Sequence, residues 1–229
     1  MTREIVLDTE TTGLAPEEGH RLIEVAAVEI LHYIPTGRMF HSYVDPERDV
    51  DPDASRVHGI HRDFLRTWPT FNDARVAGAL LRFIGEAPIV AHNAPFDRGF
   101  LNHELTRAGR APTSADVWID TLALARKKFP GAQNSLDSLC KRFSIDLSGR
   151  KRHGALVDAQ LLAEVYLQLR GGRMVALDFG EQSAVATLAS DKPSYGQRPR
   201  PLPPRLTGAE IAAHRAFVNG QVAGALWGF

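Results

Sequence analysis

The sequence predicts an α/β domain built on a mixed sheet of about five strands, flanked by helices and followed by a flexible C-terminal tail. Three observations carry this. Apolar runs of strand length open the chain, strand-like and helix-like segments then alternate as far as residue 170, and a proline-rich stretch breaks the pattern after Gly171-Gly172. At 229 residues, 44% hydrophobic and 24% charged, the chain is large enough for one domain of about 150–200 residues plus an appendage.

Glu4-Ile5-Val6-Leu7-Asp8-Thr9-Glu10 reads as the first strand, and Leu22 to Leu31, a nearly continuous apolar run, as a second, buried one. Met39 to Val44 is the third. Gly37, after Pro35 and Thr36, marks a turn that makes the last two strands antiparallel. Helical periodicity covers 71–84, 95–108, 121–128, 135–143 and 154–170, with short strands at Pro88 to Ala91 and Val117 to Ile119. Residues 190–205 hold five of the 14 prolines and little to bury, which defines an extended linker. Thr207, with Glu210 three residues on, opens a short helix from about 208 to 219. The expected division is therefore 1–172 for the domain, 173–205 for the linker and 206–229 for the tail.

No uncharged apolar run reaches the roughly 18–20 residues of a membrane span, and Glu4 interrupts the stretch a signal peptide needs, so a soluble cytoplasmic protein is expected. The single cysteine, Cys140, cannot form an internal disulfide and sits at helical spacing from Leu136, Leu139 and Phe143, as a core residue would. Net charge is zero, but unevenly spread. Residues 1–53 hold 12 acids and 4 bases, whereas 98–152 hold 11 bases and 5 acids. Folded together, such segments suit metal cations beside a phosphate backbone, although solvated faces of opposite sign give the same counts.

Four acids stand out by context. Asp8 and Glu10, two apart on the first strand, share a face at roughly 7 Å, a separation one or two cations bridge. Asp97 follows His92-Asn93-Ala94-Pro95-Phe96 and heads a helical stripe with Leu101, Leu105 and Ala108. A carboxylate there needs a counter-charge, unless it serves only the helix dipole. Asp158 repeats the pattern with Leu161, Leu162, Val165 and Leu169. Oxygen donors in this arrangement suit a hard divalent ion. His153, on the loop before Asp158, is placed as a proton acceptor.

The motifs Asp8-Thr9-Glu10-Thr11-Thr12-Gly13-Leu14, His92-Asn93-Ala94-Pro95-Phe96-Asp97 and His153-Gly154-Ala155-Leu156-Val157-Asp158 resemble those of the DEDDh family of 3′–5′ exonucleases. Val57-His58-Gly59-Ile60, Asp120-Thr121-Leu122, Phe129-Pro130-Gly131 and Asn134-Ser135-Leu136-Asp137 resemble the branch of that family that proofreads for bacterial DNA polymerase III. The likeness runs from about residue 4 to 172 and resumes at Glu210-Ile211-Ala212-Ala213-His214 and Trp227.

The resemblance implies a ribonuclease H-like fold and hydrolysis of phosphodiester bonds at a DNA 3′ end, in the bacterial cytoplasm near the nucleoid. It implies two divalent cations, Mg²⁺ or Mn²⁺, held by Asp8, Glu10, Asp97 and Asp158, with His153 as the catalytic base. Asp8, Glu10, Thr11, Leu14, Val57, His58, Asn93, Phe96 and Asp158 would hold the terminal nucleotide, Leu14 and Phe96 without reading sequence. Four carboxylates neutralise two divalent ions, so attraction for DNA falls to Arg150, Lys151, Arg152, Lys141 and Arg142. His58 and His92 also suit loop-fixing hydrogen bonds, the better reading for His92. Asp120 fits an N-cap better than a fifth ligand.

Residues 206–229, with Ile211, Phe217 and Leu226-Trp227-Gly228-Phe229, are expected to dock on the catalytic (alpha) subunit of the polymerase. Met174, Leu177 and Phe179 resemble the anchors of a sliding-clamp peptide, or form an apolar packing patch. Two other functions remain open on sequence. One is an RNA-trimming exonuclease of the same family, since the core motifs do not exclude a 2′ hydroxyl. The other is an inactive polymerase or clamp scaffold, which the intact acids and histidine disfavour.

Overall fold

The computed structural model describes residues 2–149, 152–172 and 207–221. These fall into two units, one reaching residue 172 and one holding the C-terminal helix. The first is built on a five-stranded sheet of order β3-β2-β1-β4-β5. The strands are β1 Arg3–Thr11, β2 Leu22–Leu31, β3 Ile34–Tyr43, β4 Ile89–Ala91 and β5 Trp118–Asp120. β1 pairs antiparallel with β2 and parallel with β4, so the sheet is mixed, as expected.

The hairpin turn is not at Gly37. His32 and Tyr33, at φ 49 and 66, make a two-residue turn between the paired Leu31 and Ile34. Two positive φ values match the right-handed twist of the strands. Gly37 instead lies within β3 at φ 84, where the register slips between Val28 and Ile30. Glu29 holds this irregular stretch: it accepts from Thr36 Oγ1 at 2.8 Å, Arg38 Nη1 at 2.8 Å and Arg3 Nε at 2.6 Å.

Alternation along β1 sends Ile5 and Leu7 into one apolar layer and Val6 into the other. The Ile5 layer is covered by α3 Ala79–Ile84 and α4 Ala94–Arg107, through Leu80, Ile84, Leu101 and Leu105. The expected helix 71–84 begins later, as a wide turn over Ala74–Gly78 started by Asp73, whose side chain accepts from the Arg75 N–H. The Val6 layer is covered by α7 Ala155–Leu169. Its sheet-facing stripe is Ala155, Ala159, Leu162, Ala163 and Tyr166, and small side chains bring this helix close to the strands. Leu161, Val165 and Leu169, expected on that stripe, pack instead with Cys140 and Leu139 of α6 Leu136–Arg142 and with Ala125 of α5 Thr121–Lys128.

Two short helices escaped the periodicity, α1 Pro52–His58 and α2 Arg62–Leu65. Their buried residues are one each, His58 and Leu65, so neither shows an apolar stripe. In the second unit, α8 Gly208–Gln221 starts on the expected capping box: Glu210 Oε2 accepts from the Thr207 N–H at 2.7 Å. The linker, the clamp-like Met174, Leu177 and Phe179, and the terminal Leu226 to Phe229 lie outside the described residues. Among the described residues, no helix is long and apolar enough to cross a membrane.

Candidate active site

The site forms where the C-terminal end of β1 meets the first turns of α4 and α7. Because β1 and β4 run parallel, the helix that follows β4 starts beside the end of β1 and delivers Asp97 in its first turn. Asp97 is 3% exposed and accepts from Thr9 Oγ1 at 2.8 Å. Asp158, 4% exposed, enters from the first turn of α7. Asp8 and Glu10 project from the α7 side of β1.

His153 is exposed on the loop before α7, and its Nδ1 lies 3.1 Å from Asp158 Oδ2. Ligand atoms of Glu10, His153 and Asp158 all fall within 4.8 Å of one another. The Asp8 carboxyl is pushed well above the usual carboxylate range by burial and by the charges of Asp97, Glu10, Asp158 and Glu24. Asp97 is raised to about 7, again by burial first, with Thr9 and backbone N–H groups pulling the other way. Carboxylates that repel one another in a desolvated corner are stabilised by a divalent cation, and a set of carboxylate oxygens suits Mg²⁺ or Mn²⁺.

Beside this cluster lies a cleft of about 430 Å³, lined by Glu10, Thr11, Leu14, Val57, His58 and Phe96 among others. Leu14 and Val57 offer exposed apolar surface, 83% and 50%, and the Phe96 ring packs at a tilt against Phe100, 5.0 Å between centroids. The turn that presents Leu14 depends on Gly13, where a Cβ would collide with the His20 ring. His58 Nδ1 accepts the Ile60 N–H at 3.0 Å, and burial pushes its pKa down. The structure thus brings five of the six expected non-acidic contacts to one cleft. Asn93 does not line it. It sits at φ 70 ahead of α4 and donates its N–H to Asp120 Oδ1 at 3.0 Å.

Asp120 caps α5 by accepting the Leu122 N–H at 3.0 Å, as expected. His92 ties its loop to α5, its Nδ1 2.9 Å from Thr121 Oγ1, which in turn donates to the Ala91 carbonyl. Sequence reasoning missed Glu24. It stands opposite Glu10 on β2, is 2% exposed, and its Oε1 shares a 2.7 Å hydrogen bond with His41 Nε2. An acid inside an apolar strand run was the available signal.

A mixed sheet with acids gathered at the end of its central strand, beside a nucleotide-sized cleft, defines a nuclease of ribonuclease H-like architecture. The chain belongs to the RNase_T exonuclease family, whose model matches residues 5–166. It is 45% identical over 221 residues to the DNA polymerase III subunit epsilon of Rickettsia felis, covering 95% of this chain and 96% of that one. It is also similar to exonuclease X in complex with 5′ overhanging duplex DNA, at 26% identity and TM-score 0.57, covering 74% of this chain and 90% of the other. The fold matches the nuclease domain of the DEDDh member 3′hExo bound to rAMP, TM-score 0.62 at 22% identity over 73% and 91% of the two chains.

Proposed function

We propose that this chain is a proofreading 3′–5′ exonuclease that removes mispaired nucleotides from a DNA primer end and releases nucleoside monophosphates, as part of a bacterial DNA polymerase III. The observation that carries the reading is the approach of Glu10, His153 and Asp158 within 4.8 Å beside the cleft that holds Leu14 and Phe96.

Asp8, Glu10, Asp97 and Asp158 would hold the divalent cations, which supply positive charge to activate water and to stabilise the departing 3′ oxygen. The side chains of this chain do the rest. Leu14, Val57 and Phe96 hold the terminal base and sugar by apolar contact, which accepts any nucleotide. An ionised Asp158 fixes the His153 tautomer with the proton on Nδ1, so Nε2 is the atom that takes the proton from the attacking water. The exposed position of His153 on a loop lets that proton pass on to solvent.

The relative's name and the capped α8 support a role for residues 206–229 in docking on the alpha subunit, with residues 173–205 as tether. A weaker clamp contact through Met174, Leu177 and Phe179 belongs to the same proposal, as does a cytoplasmic, nucleoid-associated site of action. Digestion of 3′-labelled paired, mispaired and RNA substrates, with Mg²⁺, Mn²⁺ or chelator, tests the reaction. Preference for RNA, or activity that survives chelation, would overturn it. Deleting residues 206–229 should end co-elution with the polymerase subunit and leave cutting of a free single strand intact.

A further inference from the structure

Helix α1 separates two clefts of opposite character. Its Asp53, Ala54, Val57 and His58 face the nucleotide cleft, whose acids include Glu10, Glu18 and Asp51. Its Pro52, Ser55 and Arg56 line a second cavity of about 550 Å³, completed by Val50, His61 and Arg152. The helical period puts these two sets on opposite sides. Two guanidinium groups and an imidazole face the second cavity, and no carboxylate lines it among the described residues.

Gly59 places Arg152. It follows α1 at φ 75, and a Cβ there would overlap the Arg152 guanidinium and come within 2.8 Å of Cδ, so the side chain rests on bare backbone. Arg152 adjoins His153, so one loop serves both the cavity and the acid cluster. His58 lines the nucleotide cleft and His61, three residues on, lines the second cavity, so the two clefts meet at the end of α1. Arg56 pairs with Asp53, but at 75% and 86% exposure such a pair contributes little and yields readily to a phosphate. Ser55 Oγ donates to the Ile60 carbonyl at 3.1 Å and so closes the helix end.

We propose that this cavity grips a backbone phosphate of the substrate strand, 5′ of the terminal nucleotide, through Arg56, His61 and Arg152. The inference rests on the exonuclease reading and adds a second point of contact to it. The nucleotide cleft is acidic and cannot itself attract a polyanion. Guanidinium groups bind phosphate oxygens in pairs, and a grip on the backbone adds affinity without reading bases.

The test compares the unaltered full chain with an Arg56→Gln, His61→Gln double variant on two substrates. One is a 3′-labelled single strand, and the other the p-nitrophenyl ester of thymidine 5′-monophosphate, which fills only the nucleotide cleft. Expected are a KM about 10-fold higher on the strand with kcat nearly held, and a salt slope of log KM smaller by about 0.7 per lost phosphate. On the ester the change stays under about twofold. Arg56→Lys should recover part of the loss. Equal losses on both substrates, or an unaltered KM and slope on the strand, would overturn the proposal. Unaltered protein that cuts neither substrate would overturn the exonuclease reading itself, and this proposal with it.

Discussion

Glu10 on β1 and Glu24 on β2 stand directly opposite each other, two like charges on one face of the sheet. Such a pair is destabilising. Glu24 is held all the same, by the hydrogen bond to His41, and its charge adds to those that raise Asp8. Glu24→Gln is expected to raise the melting temperature in chelator by a few degrees and to weaken Mn²⁺ binding several-fold, because one repulsion and one attraction disappear together. Melting in chelator and calorimetric Mn²⁺ titration read the two effects. A lower melting temperature with unaltered Mn²⁺ affinity would make Glu24 purely structural.

Asp8→Ala, Glu10→Ala, Asp97→Ala and Asp158→Ala should each lower hydrolysis by several orders of magnitude in a folded chain, because each removes one ligand from a shared cluster. Single-turnover cutting of a 3′-labelled strand, with circular dichroism to check folding, decides each. Near-normal cutting by any of the four removes that residue from the ligand set.

The raised carboxyl groups predict how stability responds to pH. In the cation-free protein Asp97 titrates at about 7 and Asp8 well above its usual range, so the folded state holds protons that the unfolded chain has released. The Asp97 contribution is complete below about pH 4 and is lost as pH rises through about 7, and that of Asp8 is lost in the same direction. Melting temperature in chelator should therefore fall more steeply from about pH 5 to pH 8 in the unaltered protein than in Asp97→Asn, and excess Mg²⁺ or Mn²⁺ should recover most of the difference at pH 8. Parallel curves for the two proteins would contradict this coupling.

His153→Ala should slow the chemical step by about 10²–10⁴-fold, the usual worth of a general base. It should leave KM for a single strand nearly as before, since the side chain stands outside the apolar grip. Added imidazole should restore part of the rate. If imidazole does nothing while the variant folds and binds cation, proton transfer does not pass through this position.

Away from the site, Arg21 and Glu104 clamp β2 to α4 with two parallel bonds of 2.6 and 2.8 Å, both side chains under 10% exposed. Glu104→Leu alone should cost about 3–5 kcal/mol in denaturant unfolding, because it strands a buried guanidinium. Arg21→Met combined with Glu104→Leu should cost distinctly less. A double variant as unstable as the sum of the singles would show that the two charges act independently.

What the sequence disclosed follows from how far each signal reaches. β2 was legible to the residue because Leu22 to Leu31 is apolar except for Glu24 and Glu29. The hairpin turn was misplaced because its two positive-φ residues are His32 and Tyr33, neither a turn former, while the glycine nearby belongs to a bulge. α1 was missed because it buries only His58 and so shows no apolar stripe, although Asp51-Pro52 is an ordinary helix start. The acids stood out because Asp8 ends an apolar run with Glu10 two residues on, and Asp97 and Asp158 head apolar helical stripes, all of them local patterns. Glu24 with His41, Arg21 with Glu104 and Arg152 with Gly59 are agreements between distant segments, and no local pattern carries them.

The site's pieces are spread along the chain, from Asp8 on the first strand to Asp158 on α7, and α7 also covers the Val6 face of the sheet. During synthesis, a ribosome-bound chain that has released β1 to β5 has its sheet complete and its cleft nearly built, yet lacks both His153 and Asp158. On the proposed roles of His153 and Asp158 such a chain would be unable to cut nucleic acid, and the Val6 layer of its sheet would still be bare. The helix that covers this layer also carries Asp158 to the cluster, so on that reading burial of the face and assembly of the site are one event.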